Sequence, residues 1–180
     1  MLDAIENRRS VRKYKKNTPV ENEKLEEVLE AGRLAPSGHN RQPWNFIVIK
    51  DDEMKKALAF VDHEQYWMTD APILIACVGD AAEWIGGESI YVNEEAGFMG
   101  LKRVIRDTSI AITQMMLEAE NQGLNTCWTG WYQQHDVRPL LEIPEDKYVV
   151  GILVVGYGDE KPKQRARKPL ADIVKYEKWS

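Results

Sequence analysis

Basic side chains are concentrated in two short segments of the chain. Residues 8–16 contain six of them and no acidic residue, and residues 161–168 contain five. Guanidinium groups present planar sets of N–H donors that match phosphate oxygens, so either segment suits the binding of a small anion. A charged segment is as often a solvated surface, and charge alone leaves both interpretations open.

The N-terminal cluster includes the sequence Arg-Arg-Ser-Val-Arg, directly after a predicted short helix. In an extended segment alternate side chains point the same way, so Ser10 and Arg12 would share one face while Val11 turned into the core. The same spacing would place Arg165 and Arg167 of the second cluster on one face. Three guanidiniums and a hydroxyl within five residues can surround a phosphate group; the alternative is a charged loop with one buried valine.

Two further segments carry groups suited to contact with a flat heterocycle. Residues 36–44 form a polar loop before a strand, and the amides of Asn40 and Gln42 each offer both a donor and an acceptor. Residues 126–131 end a predicted strand, where Gly130 would permit a close backbone approach to a ligand. The alternatives are a helix–strand connection with capping side chains and a strand that simply ends in a glycine turn.

The sequence lacks the usual arrangements for nucleophilic or metal chemistry. Neither Ser10 nor Ser37 lies in a G-x-S-x-G context, and no two of the three histidines have metal-ligand spacing. No G-x-G-x-x-G follows a predicted strand, so a dinucleotide-binding Rossmann unit is not supported. An enzyme with this sequence would therefore depend on a cofactor for its chemistry.

Hydrophobic periodicity predicts the elements that hold these segments in place. Apolar residues on much of the circumference of residues 101–122 predict a central, buried helix with its C-terminal cap at Gly123. Residues 148–157 are near-continuously apolar, which predicts a strand inside a sheet. Strands are predicted at residues 45–50, 73–78, 125–131 and 148–157, and helices at residues 1–8, 21–34, 53–61, 101–122, 137–141 and 170–174. This mixed order indicates an α+β domain, or a mixed-sheet α/β domain, with helices on both faces of the sheet.

Composition sets the broad class of the protein. A chain of 180 residues with 43% hydrophobic and 29% charged residues suits one globular domain, residues 1–180. A net charge of −5 argues against nucleic acid as a main partner. The longest apolar run is too short to cross a membrane, and the N-terminus has no apolar signal core. We therefore expect a cytoplasmic protein in which Cys77 and Cys127 are buried free thiols.

Taken together, these segments resemble the FMN-dependent nitroreductase family. Residues 8–12 are similar to its N-terminal Arg-Arg-Ser-x-Arg motif, and residues 35–44 to its Ala-Pro-Ser-x-x-Asn-x-Gln-Pro-Trp loop. Further matches, in the family's order, are Asp-Ala-Pro at 70–72, Gly-Leu at 123–124, Thr-Cys-Trp at 126–128 and Arg-x-Arg-Lys-Pro-Leu at 165–170. The resemblance covers nearly the whole chain.

The resemblance implies an α+β, nitroreductase-like fold with a central mixed or antiparallel sheet flanked by helices. It also implies an intertwined homodimer with FMN at the subunit interface. On one subunit, the residues expected to hold FMN by its phosphate, ribityl chain and pyrimidine edge are Arg8, Arg9, Ser10, Arg12, Arg165 and Arg167. The residues expected from the other subunit are Pro36, Ser37, Gly38 and Asn40. Thr129 and Gly130 would lie against the isoalloxazine near its reactive nitrogen.

The activity implied is hydride transfer from NAD(P)H through FMN to a nitroaromatic, a quinone or a similar small acceptor, with ping-pong kinetics. The same resemblance includes flavin reductases and dehalogenases, and a non-catalytic flavin-binding module is a further alternative. An anion-binding scaffold without a chromophore is a third. The sequence leaves open the physiological substrate and the choice between NADH and NADPH.

Residues 80–100 are the segment in which the family varies and which often covers the flavin. Trp84, Tyr91 and Phe98 could form an aromatic roof over a planar substrate. Equally, they could insert into the core of the dimer. Trp67 allows the same two interpretations.

Overall fold

The computed structural model describes residues 1–85, 92–93 and 99–179. The helices are α1 (Asp3–Asn7), α2 (Asn22–Arg33), α3 (Asp52–Val61), α4 (Ala82–Ile85), α5 (Met99–Asn121), α6 (Gln134–Leu140) and α7 (Leu170–Ile173). The strands are β1 (Trp44–Ile49), β2 (Ile73–Asp80), β3 (Asn125–Thr129) and β4 (Lys147–Gly156). Short 3-10 turns lie at Gly38–Asn40 and Tyr66–Asp70.

The four strands form one sheet in the order β1-β2-β4-β3, and each neighbouring pair is antiparallel. β2 and β4 occupy the centre. Their apolar side chains are buried on both faces, as at Leu74, Ile75, Ile152 and Leu153. Burial on both faces explains why the sequence of β4 is almost continuously apolar instead of alternating. The predicted α+β domain with a central sheet is confirmed.

Helices cover both faces of this sheet, as the sequence predicts. α2 and α5 pack on one face, where Val28 and Ile112 are fully buried against Ile75. α3 and α6 pack on the opposite face through Leu58 and Val137, which are also fully buried. Since the apolar stripe of each helix meets an apolar face of the sheet, the core forms two layers around the strands.

The central helix α5 ends where the sequence predicts. Gly123 follows it with a φ of +73°, and its N–H donates to the carbonyl of Glu120 at 3.0 Å. The next amide, from Leu124, donates to the carbonyl of Ala119 at 2.8 Å. These bonds satisfy carbonyls that the end of the helix would otherwise leave without donors.

Several element boundaries differ from the prediction by one to three residues, and buried polar side chains lie at two of them. β3 ends at Thr129 instead of residue 131, because the amide of Trp131 donates to the side chain of Asp62 and not to a neighbouring strand. α6 begins at Gln134, before the predicted start at residue 137. The amide side chain of Gln134 is buried and forms hydrogen bonds with both the N–H and the carbonyl of Val149. Its polar character suggests a surface loop in the sequence, but the folded chain places it in the interior.

Within residues 80–100 the structure describes one short helix, α4. Tyr91 and Phe98 lie outside the described residues, so the predicted roof is represented by Trp84 alone. Cys77 and Cys127 are free and buried, as expected. No helix in the described part of the chain is both long enough and apolar enough to span a bilayer.

Candidate cofactor-binding site

The N-terminal basic segment lies beside the outer edge of β3. Ser10 forms a parallel bridge with Thr126, and the amide of Val11 donates to the carbonyl of Thr126 at 3.0 Å. Val11 is 1% exposed, whereas Ser10 and Arg12 are exposed. The predicted alternation, with Val11 in the core and its neighbours facing outward, is therefore confirmed.

Backbone hydrogen bonds bring the second basic segment to the same place. After β4, the carbonyl of Tyr157 accepts from the amide of Lys15, and the amide of Asp159 donates to the carbonyl of Lys13, both at 2.8 Å. Tyr14, buried between them, forms an antiparallel bridge with Gly158. The chain that leaves β4 thus runs along residues 13–15, which directs residues 160–167 toward the N-terminal arginines.

The two clusters meet around one cavity of about 410 Å³. Its walls come from the predicted residues Arg8, Arg9, Ser10, Arg12, Arg165 and Arg167, together with Glu160, Pro162 and Lys163. Six cationic side chains and one carboxylate face this cavity. A dense set of guanidinium donors is the chemistry that binds a terminal phosphate, so the donor set fits the phosphate end of FMN.

Glu160 is the member of this cavity that sequence reasoning missed. Its Oε1 accepts a hydrogen bond from the backbone N–H of Arg12 at 2.6 Å. Because 148 positions separate the two residues, only the folded chain reveals the pairing. The carboxylate holds the backbone of the N-terminal segment and leaves the Arg12 guanidinium free to lie 5.8 Å from the ring centre of Trp67.

Cys127 lies behind this segment and is not a reactive thiol. It is 1% exposed, and burial raises its pKa, an effect that Arg12, a hydrogen bond with Ser10 and Arg8 oppose. The thiol therefore remains protonated at neutral pH and behaves as a small apolar side chain. Covalent chemistry at Cys127 is not part of the site.

The polar turn at residues 36–40 lies elsewhere on the chain. None of its residues is among the described residues that line the basic cavity. The amide of Gly38 donates to Oδ2 of Asp107 in α5 at 3.2 Å, and Ser37 Oγ accepts from the amide of Gln42 at 2.9 Å. Non-glycine residues with positive φ, His39 and Asn40, give the turn its shape. One chain thus holds the turn and the basic cavity at two separate places.

Trp84 packs against this turn. Its ring would contact any side chain added at Gly38, and the guanidiniums of Arg41 and Arg103 each lie 4.9 Å from the ring centre. Its indole Nε1 is buried without a hydrogen-bond partner among the described residues. A tryptophan held between two arginines is a fixed aromatic surface beside the turn at residues 36–40.

The turn after β3 is held by a buried carboxylate that sequence reasoning also missed. Asp62, at the end of α3, is fully buried and accepts hydrogen bonds from the Thr129 hydroxyl, the Trp131 amide and the Gln65 side chain. Burial raises the pKa of Asp62, and these hydrogen bonds oppose the rise. In sequence Asp62 resembles an ordinary solvent-exposed acid that ends a helix, so no pattern signals this role.

Known proteins share this architecture over the whole length of the chain. The nitroreductase family model matches residues 5–157. A Methanothermobacter thermautotrophicus protein described as an NADH dehydrogenase/NAD(P)H nitroreductase is 32% identical over 99% of this chain and 87% of its own length. The Bacillus subtilis FMN reductase [NAD(P)H] is 28% identical over 94% of this chain and 70% of its own.

Solved structures agree with these sequence relatives. The crystal structure of a Clostridium difficile nitroreductase family protein superposes with a TM-score of 0.82 at 31% identity. That match covers 99% of both chains. The chain thus matches these proteins in sequence, fold and length. This chain belongs to the nitroreductase family.

Proposed function

We propose that this chain is an FMN-dependent oxidoreductase that uses NAD(P)H to reduce a small oxidised organic compound such as a nitroaromatic or a quinone. The observation that carries the proposal is the basic cavity in which the two arginine clusters meet. A single terminal phosphate matches FMN, and the sequence has no dinucleotide fingerprint that would suit FAD. Family membership supports the flavin and the nicotinamide donor.

The residues proposed to hold FMN divide by their place in the fold. Arg8, Arg9, Ser10, Arg12, Arg165 and Arg167 would bind the phosphate, ribityl chain and pyrimidine edge, since all of them line the cavity. Thr129 and Gly130 would lie against the ring system. When bound, FMN supplies the hydride chemistry, accepting from NAD(P)H and passing on to the acceptor. Arg12 would stabilise negative charge near the pyrimidine edge.

We propose that the active assembly is a homodimer with FMN at the interface. The turn at residues 36–40 does not reach the basic cavity of its own chain, so in this proposal it completes the site of a second copy. The C-terminal segment supports the same assembly. Large apolar side chains there are exposed, including Leu170, Ile173, Tyr176 and Trp179. A partner subunit would bury them. We place the dimer in the cytoplasm, where its buried thiols would stay reduced.

Absorbance of the purified protein tests the cofactor. We expect a yellow protein that binds FMN and not FAD and that oxidises NADH or NADPH when a quinone or nitroaromatic is present. A colourless protein that takes up no added FMN would contradict the proposal. Bound FMN without steady NAD(P)H oxidation would instead support a flavin-binding module.

Steady-state kinetics test the proposed order of binding. Reacting atoms must approach to about 3–3.5 Å for hydride transfer, so each planar substrate must stack on the same open face in turn. We therefore expect ping-pong kinetics with parallel double-reciprocal plots, and intersecting plots would rule out a single shared face. Trp84 lies beside the turn at residues 36–40. In the dimer it would cover the partner's site, so Trp84→Ala should change the KM for aromatic acceptors while FMN stays bound.

A further inference from the structure

Asp62, at the end of α3, forms hydrogen bonds with the turn at residues 129–131. Asp62 is fully buried although it is ionisable, and two of its three hydrogen-bond donors lie more than 60 positions away in sequence. Oδ1 accepts from the amide of Trp131 at 2.7 Å, and Oδ2 accepts from the Thr129 hydroxyl. Burial of a carboxylate costs desolvation free energy unless such donors surround it. A buried aspartate at this position therefore indicates a specific role in the local structure.

The direction of every hydrogen bond in this group follows from its chemistry. The indole N–H of Trp67 can only donate, and it donates to Oε1 of Gln65 at 3.2 Å. The amide NH₂ of Gln65 therefore faces Asp62 Oδ2 at 2.8 Å and Thr129 Oγ1 at 2.7 Å. Because Thr129 accepts from Gln65, its own hydrogen is donated to Asp62. The network leaves Asp62 as a pure acceptor, a role that suits the carboxylate.

The backbone that follows α3 adopts an uncommon conformation at this point. His63 and Glu64 both have left-handed φ values, +57° and +56°, although neither is glycine. Residues with a Cβ are disfavoured in this conformation because the Cβ approaches the following carbonyl oxygen. The imidazole of His63 stacks on Trp131, with ring centres 4.2 Å apart and planes 9° apart. Strain of this kind is tolerated where a particular geometry is required.

The same network reaches the basic cavity. Trp67, which orients Gln65, lies under the guanidinium of Arg12 at 5.8 Å from the ring centre. One chain of contacts therefore joins Arg12 at the cavity to Thr129 and Trp131 at the turn. Arg12 and the turn at residues 129–131, both proposed to contact FMN, are therefore linked to each other through Trp67, Gln65 and Asp62.

We infer that Asp62 is a positioning residue for hydride transfer: through the Thr129 hydroxyl and the Trp131 amide, it fixes the turn at residues 129–131 against the flavin ring. The inference rests on the proposed function, which places Thr129 and Gly130 beside that ring. Asp62 itself is fully buried behind the turn and acts only through it. Misplacement by about 1 Å can slow such a step by about 100-fold, so a support behind the turn has a direct kinetic consequence.

Replacement by asparagine tests the role without a change of size. An asparagine has one oxygen, so either Trp131 or the pair Thr129 and Gln65 would face an NH₂ group and lose its acceptor. Charge-assisted hydrogen bonds of this kind correspond to about a 10- to 150-fold change in an equilibrium. The isosteric variant Thr129→Val removes only the hydroxyl and leaves Asp62 its bond to Trp131. Asp52→Asn is the matched control, since it makes the same charge change on the exposed side of α3.

Three measurements separate positioning from mere structural support. Amide exchange at Trp131 is followed by NMR in the protein without FMN, FMN affinity by titration, and flavin reduction by stopped-flow absorbance with saturating FMN and nicotinamide donor. For Asp62→Asn we expect Trp131 exchange at least about 10-fold faster and flavin reduction slowed about 10-fold or more. FMN affinity should change by less than about 3-fold, because the phosphate contacts lie elsewhere. Thr129→Val should slow reduction in the same way, and Asp52→Asn should match the wild type.

Each other outcome has a definite meaning. Faster Trp131 exchange with an unchanged reduction rate would show a purely structural network and overturn the inference. Unchanged exchange together with an unchanged reduction rate would show that Asp62 does not hold the turn, with the same consequence. Unchanged exchange with slowed reduction would mean that the asparagine keeps its oxygen toward Trp131, and Thr129→Val then decides. If Asp62→Asn does not fold, Thr129→Val decides, and a wild-type reduction rate in that variant overturns the inference. A wild-type protein that takes up no FMN would refute the proposed function itself, and that result is visible before any variant is made.

Discussion

Arg12, in the basic cavity, contacts residues that lie close to it in space but far from it in sequence. Its alternation with Val11 is a local property of extended chain, so the sequence predicts that Arg12 faces outward. Its contacts with Glu160 and Trp67 come from segments far along the chain. Local spacing therefore identifies the outward-facing basic side chains, whereas the residues that support them depend on tertiary packing. Asp62 is the clearest case, since nothing adjacent in sequence marks it as buried.

Loss of one arginine from the cavity should weaken FMN binding. Arg12→Ala and Arg167→Ala each remove a cationic cavity wall, and charge-assisted contacts are worth about 1.5–3 kcal/mol each. We expect a 10- to 150-fold rise in the Kd for FMN, by the approximate conversion of about 1.4 kcal/mol per tenfold, as measured by fluorescence titration. Lys15→Ala is the control because Lys15 does not line this cavity. Unchanged titration curves for both arginine variants would show that the phosphate binds elsewhere.

The pH dependence of stability should differ in sign between two aspartates near the ends of α3. Burial raises the pKa of Asp62, so this carboxylate takes up a proton more readily in the folded state than in the unfolded chain. Its contribution to stability is therefore present at low pH and is lost as pH rises above the unfolded value of 3.8. A hydrogen bond and the charge of Lys55 lower the pKa of Asp52, so its contribution is lost as pH falls.

Urea unfolding at several pH values measures this difference. Between about pH 4 and about pH 7, the free energy of unfolding of the wild type should exceed that of Asp62→Asn by a margin that becomes smaller as pH rises. The gap between wild type and Asp52→Asn should widen or stay level over that range. If the two differences in free energy of unfolding change in the same way with pH, Asp62 is not desolvated in the folded protein.

At the scale of elements, hydrophobic period and turn chemistry predict most of the architecture. The four strands and the long helix are found where apolar spacing places them, because the core selects those positions directly. The errors at β3 and α6 share one feature, a buried polar side chain that local reasoning assigns to the surface. Asp62 accepts the Trp131 amide just past the end of β3, and Gln134, the first residue of α6, accepts the amide of Val149 in β4.

The cap of α5 provides a test at this scale. A side chain added at Gly123 would meet no atom within 4 Å, so any penalty comes from its left-handed backbone alone. Gly123→Ala should destabilise the protein by about 1 kcal/mol, whereas Gly123→Asn should cost less because asparagine tolerates this conformation. Urea midpoints with unchanged m-values measure both. An alanine variant as stable as wild type would show that α5 ends differently.

At the scale of the whole molecule, one chain keeps the basic cavity and the turn at residues 36–40 apart. The basic cavity and the turn at residues 36–40 belong to the same family motifs, yet the fold separates them. The C-terminal segment beyond β4 carries large apolar side chains without burying them. In the sequence, only the family resemblance suggests these features. The apolar pattern of one chain predicts its own core and does not indicate which surface a second copy would bury.

The exposed C-terminal segment leads to a prediction about assembly. Tyr176 and Trp179 are 82% and 95% exposed, and an obligate dimer would be expected to bury about 2,000 Å² or more in total. If the segment lies on the partner, Tyr176→Ser with Trp179→Ser should shift the protein toward monomer at low concentration. FMN occupancy should fall with it, because in the proposed dimer each site includes the partner's turn at residues 36–40. Phe60→Ser is the matched control, an aromatic side chain on α3 that is 61% exposed. Analytical ultracentrifugation and absorbance read out both effects, and a wild-type protein that is monomeric yet fully loaded with FMN would show that one chain completes the site alone.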